Sequence, residues 1–257
     1  MEPLRFLHIP KTGGSTFATI LAYEYREKKS FEFSGHLPAD RKRFEALPET
    51  ERDNIMLFTG HAPIVTGIPR VDRATTITIL RDPVSRVISY CQHISEGKIP
   101  DYPAEKLNLD SFLRSGNAEL SNFQTRLLLK GGLTESFESL SPSEARDEAL
   151  DNLFNRISYF GLQEYFDESL IVFSAALKWS MPIYLSLNRK NADKLLRFEQ
   201  RHLERIAEMN AIDIEVYKAA KEKFLRAFGR SLLNRVRLKW FKRTNRRADI
   251  LIRNRMA

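Results

Sequence analysis

Short apolar runs alternate with segments of helical period along most of the chain. Residues 4–9 read as a buried strand, and the segment after them sets Ala18, Leu21, Ala22 and Tyr25 at i, i+3, i+4, i+7, the stripe of a helix. Residues 30–53 are polar and broken by proline, a pattern that predicts short helices and loops. Asn54–Thr59 reads as a second strand ending at Gly60-His61, and the β-branched run Thr75–Leu80 as a third, ending at Arg81-Asp82-Pro83. Asp82 suits an N-cap and Pro83 a first helical position, so a helix starts there, with Val84, Val87, Ile88 and Cys91 on the face expected to meet the sheet. Gly97–Asn108 is a proline-containing loop of the kind that lines a cleft. Helices are predicted over Ser121–Leu129, Ser141–Asn155, Tyr165–Lys178, Glu199–Asn210 and Ile214–Phe228, the second with Ser141 and Glu144 spaced as a capping box. Further strands fall at Ile157–Leu162 and Ile183–Leu187. Strands alternating with helices predict an α/β fold with a mostly parallel sheet and right-handed crossovers.

In such a sheet, ligands sit outside the carboxyl ends of the strands. Three of those ends carry suggestive groups. After the first comes Lys11-Thr-Gly-Gly-Ser-Thr16, a glycine-rich loop that opens a helix. Backbone N–H groups and a helix N-terminus make an anion site there, to which Lys11 adds a charge and Ser15 and Thr16 add hydroxyls. The lysine precedes the glycines, so this is not a Walker A loop, and a phosphate or sulfate ester fits it better than ATP. His61 follows the second strand and Arg81 the third, while Ser89 lies two turns beyond Arg81 near the face of Ser85. An arginine fork with a helix hydroxyl clamps a phosphate monoester. Two anion sites on one sheet predict a ligand with two separated phosphate-type groups.

The segment His8-Ile-Pro-Lys-Thr-Gly-Gly-Ser-Thr16 resembles the 5′-phosphosulfate loop of carbohydrate sulfotransferases. Ile79-Leu-Arg-Asp-Pro-Val-Ser-Arg-Val-Ile-Ser-Tyr90 is similar to their 3′-phosphate motif, with Arg81 and Ser89 at the family's Arg and Ser. Gly60-His61 resembles the catalytic-histidine position of the heparan sulfate 2-O-sulfotransferase-like group and its bacterial members, and Asn122-Phe-Gln-Thr-Arg126 that group's Asn-Tyr-Gln-Thr-Arg segment. The similarity covers residues 4–94 well, 118–165 fairly, and little beyond 190. It implies a P-loop-like three-layer sandwich with a central mostly parallel sheet and flanking helices, to which the chain's own pattern adds a helical, basic C-terminus. It also implies 3′-phosphoadenosine 5′-phosphosulfate (PAPS) as donor, PAP as product, a carbohydrate or glycolipid hydroxyl as acceptor, and no metal. His61 would be the general base, since histidine titrates near neutral pH. Lys11 would be catalytic and, with Thr12, Gly13, Gly14, Ser15 and Thr16, would hold the 5′ end of the donor and stabilise the departing charge. Arg81 and Ser89 would hold the 3′-phosphate, joined by Arg189 and Lys190 after the Ile183–Leu187 strand.

Blander readings stand beside these. His8, inside the first strand, reads as structural or loop-orienting. His36 and His93 are rival bases that follow no convincing strand into the cleft. Asn122, Gln124 and Arg126 are either acceptor or cofactor contacts, or a helix cap and a solvated face. Cys91, the chain's one cysteine, sits on an apolar stripe and reads as core. Two other functions remain open. A P-loop kinase or NTPase would need the Lys-Ser/Thr pair after the glycines that this loop lacks, and a non-catalytic anion- or membrane-surface-binding module would need only the charge.

Composition adds a setting. With 257 residues, 42% hydrophobic and 29% charged, the chain can fold as one globular α/β body. A first strand beginning within a few residues of Met1 argues against a signal peptide, and the single cysteine fits a reducing compartment. Together with the resemblance, which extends to bacterial members, this sets the expectation of a cytoplasmic, bacterial enzyme, peripheral at the inner membrane surface at most. The basicity is local: Arg226–Ala257 holds eleven Lys/Arg against Asp249, so a whole-chain charge of +8 less a tail charge of +10 leaves −2 for residues 1–225. Residues 1–228 read as the sulfotransferase domain and 229–257 as a basic helical extension packed on it. From Leu233, the residues Val236, Trp240 and Phe241 form an apolar stripe flanked by cations, suited to packing, to an anionic membrane or to an anionic polysaccharide. No motif points to nucleic acid.

Overall fold

A computed structural model of the protein describes side chains at residues 2–97, 107–132, 137–180, 184 and 196–245, and backbone also at 135, 136 and 246–256. The elements are β1 (Leu4–Leu7), α1 (Gly14–Glu24), β2 (Lys29–Phe33), α2 (Leu37–Glu45), α3 (Glu49–Asp53), β3 (Ile55–Gly60), α4 (Pro69–Asp72), β4 (Thr75–Leu80), α5 (Pro83–Ser95) and α6 (Leu109–Phe112). They continue with α7 (Phe123–Leu128), α8 (Glu135–Glu138), α9 (Pro142–Asp151), β5 (Tyr159–Leu162), α10 (Phe166–Leu177), α11 (Gln200–Met209), α12 (Ala211–Arg230) and α13 (Leu232–Met256). All of the predicted strand at 183–187 except Tyr184, and most of the 97–108 loop, lie outside the described residues.

The five strands pair in parallel in the order β2-β3-β1-β4-β5. The chain leaves β1 toward β2 and β3, then crosses β1 to reach β4 and β5. The carboxyl ends of β1 and β4 therefore flank the point where the winding reverses, the crevice such sheets offer a ligand. Helices cover both faces. Phe17, Ile20 and Leu21 of α1, Leu170, Ile171 and Phe173 of α10 and Phe241 of α13 pack on Leu4, Phe6, Leu57, Ile77 and Ile79. On the other side Phe123, Leu127 and Leu128 of α7, Ala149 of α9 and Val216, Ala220 and Phe224 of α12 pack on Leu7, Leu80 and Leu162. The result is the three-layer α/β sandwich expected.

Three local expectations change. The polar segment after residue 30 contains the edge strand β2, in which Phe31 and Phe33 turn inward while Ser30 and Glu32 face solvent. Its period-2 signal is only two aromatics long and is masked by the polar residues around it. In α1 the buried stripe is Gly14, Phe17, Ile20 and Leu21, with Ala18 and Ala22 exposed. Phe17 and Ile20 offer far more apolar area than two alanines, and burial follows area. The apolar face of α5 meets helices instead of the sheet: Val87, Tyr90, Cys91 and Ile94 cluster with Phe112, Leu113, Leu120 and Ile206. Cys91 is buried there, its thiol pushed up to about 12 by desolvation, as befits a core residue.

The β3 exit depends on a glycine. Gly60 has φ +109°, and a Cβ on it would sit 2.1 Å from the carbonyl oxygen of Phe33 on the neighbouring strand. Gly60→Ala is expected to destabilise the fold by at least about 2 kcal/mol through strain and steric displacement of β2; urea unfolding of the two proteins measures it.

Candidate functional site

The loop between β1 and α1 is shaped by its own side chains. Thr12 is fully buried and its hydroxyl donates to the Ile9 carbonyl at 2.8 Å, so it holds the turn. Lys11 adopts φ +69° and Gly13 φ +89°, two left-handed positions that swing the chain into α1. Gly13 serves as N-cap without a side-chain hydrogen bond, and the first turn of α1 carries no acid. The amides of that turn are thus left to a ligand, with the positive end of the helix dipole behind them. Gly14 is needed for a different reason: a Cβ there would collide with the imidazole of His8, 1.7 Å from Nε2.

Arg81 lies across the crevice from this loop. Its Nη1 donates to the Lys11 carbonyl at 2.9 Å, which ties the exits of β4 and β1 together. Gln124 fixes the Arg81 peptide from behind, its Oε1 accepting from Arg81 N–H at 3.0 Å and its Nε2 donating to Arg81 C=O at 2.8 Å. Arg81 Nε is buried with no partner among the described residues, and burial lowers the pKa of the guanidinium. A desolvated cation with an open donor fits an anionic group. Asp82 caps α5 by accepting from Ser85 N–H at 2.8 Å, and Ser89 is half-buried two turns along that helix.

His61 follows Gly60 at the end of β3. Its Nδ1 lies 2.8 Å from the His8 carbonyl, a contact that requires the proton on Nδ1 and makes Nε2 the acceptor of the neutral ring. Among the described residues nothing hydrogen-bonds Nε2. The rings of His8 and His61 are 4.6 Å apart, and His8 also stacks on Phe6. Burial, then the neighbouring His61 and Lys11, lower His8 to about 3, so it stays neutral. The segment after His61 is held by Arg5 of β1, which is buried and donates to the carbonyls of Ile64 at 2.8 Å and of Pro63. The rival His36 caps α2, its Nδ1 accepting from Ala39 N–H at 3.3 Å.

The Asn122–Arg126 segment forms a wall of the site, and its side chains are committed to protein partners. Asn122 is buried, and its Oδ1 accepts from Ile212 and Asp213 N–H at 3.1 Å each, capping α12. Asp213 replies from α12, accepting from Gln124 N–H, Thr125 N–H and the Thr125 hydroxyl. Arg126 donates to Ser121 C=O and to Glu138 and stacks on Phe137. These bonds join Asn122 and Arg126 to protein partners and Gln124 to the Arg81 peptide, where the sequence left open acceptor or cofactor contacts, or a helix cap and a solvated face. Arg189 and Lys190 lie outside the described residues.

Two acidic residues were missed. Glu119 pairs with the fully buried Arg86 at 3.0 Å; burial raises its pKa against the pull of Arg86, and it also feels His61 and Lys11. Arg86, one turn before Tyr90 on α5, carries no local signal of burial, since its partners Glu119 and Phe123 lie more than thirty residues on. Glu164 accepts from Asp82 N–H at 3.0 Å and from the Tyr217 hydroxyl at 2.7 Å, bracing the start of α5.

Comparison with known proteins adds the family. The profile of the galactose-3-O-sulfotransferase family matches residues 2–255. This chain belongs to that family. Heparan-sulfate 6-O-sulfotransferase 2 of Gallus gallus is 24% identical over 87% of the chain and 67% of its own length, and that of Danio rerio 26% identical over 87% and 58%. Galactosylceramide sulfotransferase of Mus musculus is 27% identical over 90% of the chain and 59% of its own length. The chain thus spans about three fifths of the latter two relatives. A solved mouse sulfotransferase, SULT7A1 complexed with PAP, aligns over 95% of this chain and 89% of its own at 14% identity and a TM-score of 0.41, too distant to inform the site. The carbohydrate sulfotransferase membership stands, and the family matched is the galactose-3-O one; nothing found supports the narrower 2-O-like placement. These relatives are animal proteins and lend nothing to a bacterial, cytoplasmic setting.

The neutral His8 sets a pH dependence. Above its ordinary value of 6.5 it is uncharged folded or unfolded and contributes nothing. As pH falls from 6.5 toward 3, the unfolded chain takes a proton that the folded site refuses, so stability drops. Chemical denaturation at pH 7 and pH 5 is expected to show about 2 kcal/mol more loss for the wild type than for His8→Gln.

Proposed function

We propose that this chain transfers the sulfuryl group of PAPS to a hydroxyl of a carbohydrate or glycolipid, with a galactosyl unit the leading acceptor. The observation that carries the reading is the joining of the two anion-binding loops by Arg81 and the Lys11 carbonyl, with His61 Nε2 free at the adjacent strand end. The family membership supports the same chemistry, and the galactosylceramide and heparan-sulfate enzymes among its relatives point to sugar acceptors.

Lys11 and the amides of Gly13, Gly14, Ser15 and Thr16 hold the phosphosulfate end, and Arg81 with Ser89 holds the 3′-phosphate. The acceptor oxygen attacks sulfur in line. As the new O–S bond forms, the bond from sulfur to the phosphate oxygen breaks, and the hydroxyl proton passes to His61 Nε2. Negative charge left on the phosphate of PAP meets Lys11 and the uncapped first turn of α1, donors already in place before the reaction. His8 contributes by fixing the His61 tautomer through its carbonyl and by remaining neutral beside it.

The test is sulfate transfer from labelled PAPS to a galactosyl lipid headgroup and to a heparan-type oligosaccharide, with and without a chelator. His61→Ala is expected to lower kcat by about 10²–10⁴-fold while leaving PAP binding intact, and the chelator to change nothing. Turnover unaffected by His61→Ala would remove the base assignment; Mg²⁺-dependent ATP turnover with no sulfate transfer would favour the kinase reading.

A further inference from the structure

The helix α13 has two apolar faces, and only one is used by the fold. On the inner face Phe241 is 1% exposed within the sheet core and Leu238 packs beside it. Tyr184 stacks on Phe241, Lys242 pairs with Glu168 of α10 at 3.2 Å, and Asn245 Oδ1 accepts from Tyr184 N–H. The helix is therefore fixed to the body from one side. On the other side stand Leu232, Leu233, Val236 and Trp240, exposed by 67%, 57%, 57% and 58%. Leu232, Val236 and Trp240 recur every four residues with Leu233 beside them, which confines all four to an arc of about 100°. The stripe anticipated from sequence is thus divided: Phe241 goes inward, while Val236 and Trp240 join the two leucines outside.

Cations border the outer stripe. Arg237 lies along one edge, Arg235 and Lys239 along the other, and Arg243 continues it toward the C-terminus. None of these four is ion-paired among the described residues. A row of apolar side chains presented to water, edged by unpaired positive charge on a helix held rigid from behind, matches an interface that is apolar below and anionic at its surface.

We infer that the outer face of α13 docks the protein on an anionic lipid bilayer, with Leu232, Leu233, Val236 and Trp240 entering the headgroup–acyl boundary and the flanking arginines and lysine meeting lipid phosphates. Charge chooses among the possible occupants. A second copy would bring a like-charged border against this one. An anionic polysaccharide would satisfy the cations and leave four large apolar side chains in water. No helix among the described residues is long and apolar enough to cross a membrane. The docking does not depend on the proposed chemistry.

The full chain is tested by co-sedimentation with vesicles of phosphatidylcholine alone and of phosphatidylcholine with phosphatidylglycerol. The wild type is expected to bind the anionic vesicles at least about tenfold more tightly than the neutral ones, with binding weakened by salt. Leu233→Ser/Trp240→Ser and Arg235→Glu/Lys239→Glu should each reduce it about tenfold without changing the thermal midpoint, since all four positions are exposed. In a Trp179→Phe background, Trp240 emission should shift to the blue on anionic vesicles. Equal vesicle binding by wild type and the Ser variant would overturn the inference. So would retention on heparin that the Ser variant keeps in the absence of vesicle binding, or a solution dimer that the Ser variant dissolves.

Discussion

The hydrogen bond from Arg81 to the carbonyl of Lys11 joins the exits of the two strands between which the sheet reverses its winding. For Lys11 to offer that carbonyl, its backbone turns left-handed, and the next turn at Gly13 sets the first amides of α1 facing the crevice without a side-chain cap. One contact thus fixes the separation of the β1–α1 and β4–α5 loops. A ligand with one charged group would engage one loop; the proposed donor, with a phosphosulfate at 5′ and a phosphate at 3′, would engage both.

That contact is held from outside by buried polar side chains. Gln124 closes both hydrogen bonds of the Arg81 peptide, and Gln124 is itself set by the exchange between Asn122 and the start of α12 and between Asp213 and the start of α7. Arg5 does the same for the strand end that carries His61. Buried networks of this kind are costly when broken and specific when complete. They explain why a site made mostly of loops keeps a defined geometry.

The strands β1, β3 and β4 and the groups at their ends were legible because short apolar runs followed by glycine, histidine or Asp-Pro are local signals. Lys11, Gly13, His61 and Arg81 could be read as chemistry because His61 and Arg81 directly follow a strand and Lys11 and Gly13 lie in the short loop between β1 and α1. The supports could not. Asn122 looks the same in sequence whether it caps α12 or touches a sugar, since its partner is about ninety residues away. Arg86 and Glu119 meet only after α5 and the 118–120 turn pack together, and β2 hides because an edge strand needs just one apolar face. In α13 periodicity announced a stripe, and only packing showed that Phe241 leaves it for the core.

The central claim is that the two loops form one site for a 3′,5′-bisphosphorylated nucleotide. Calorimetric titration of the wild type and of Arg81→Ala with PAP, with and without Mg²⁺, tests it most directly. The account predicts micromolar, metal-independent PAP binding that Arg81→Ala abolishes. Equal affinity in the two proteins, or a preference for Mg-ATP over PAP, would contradict it.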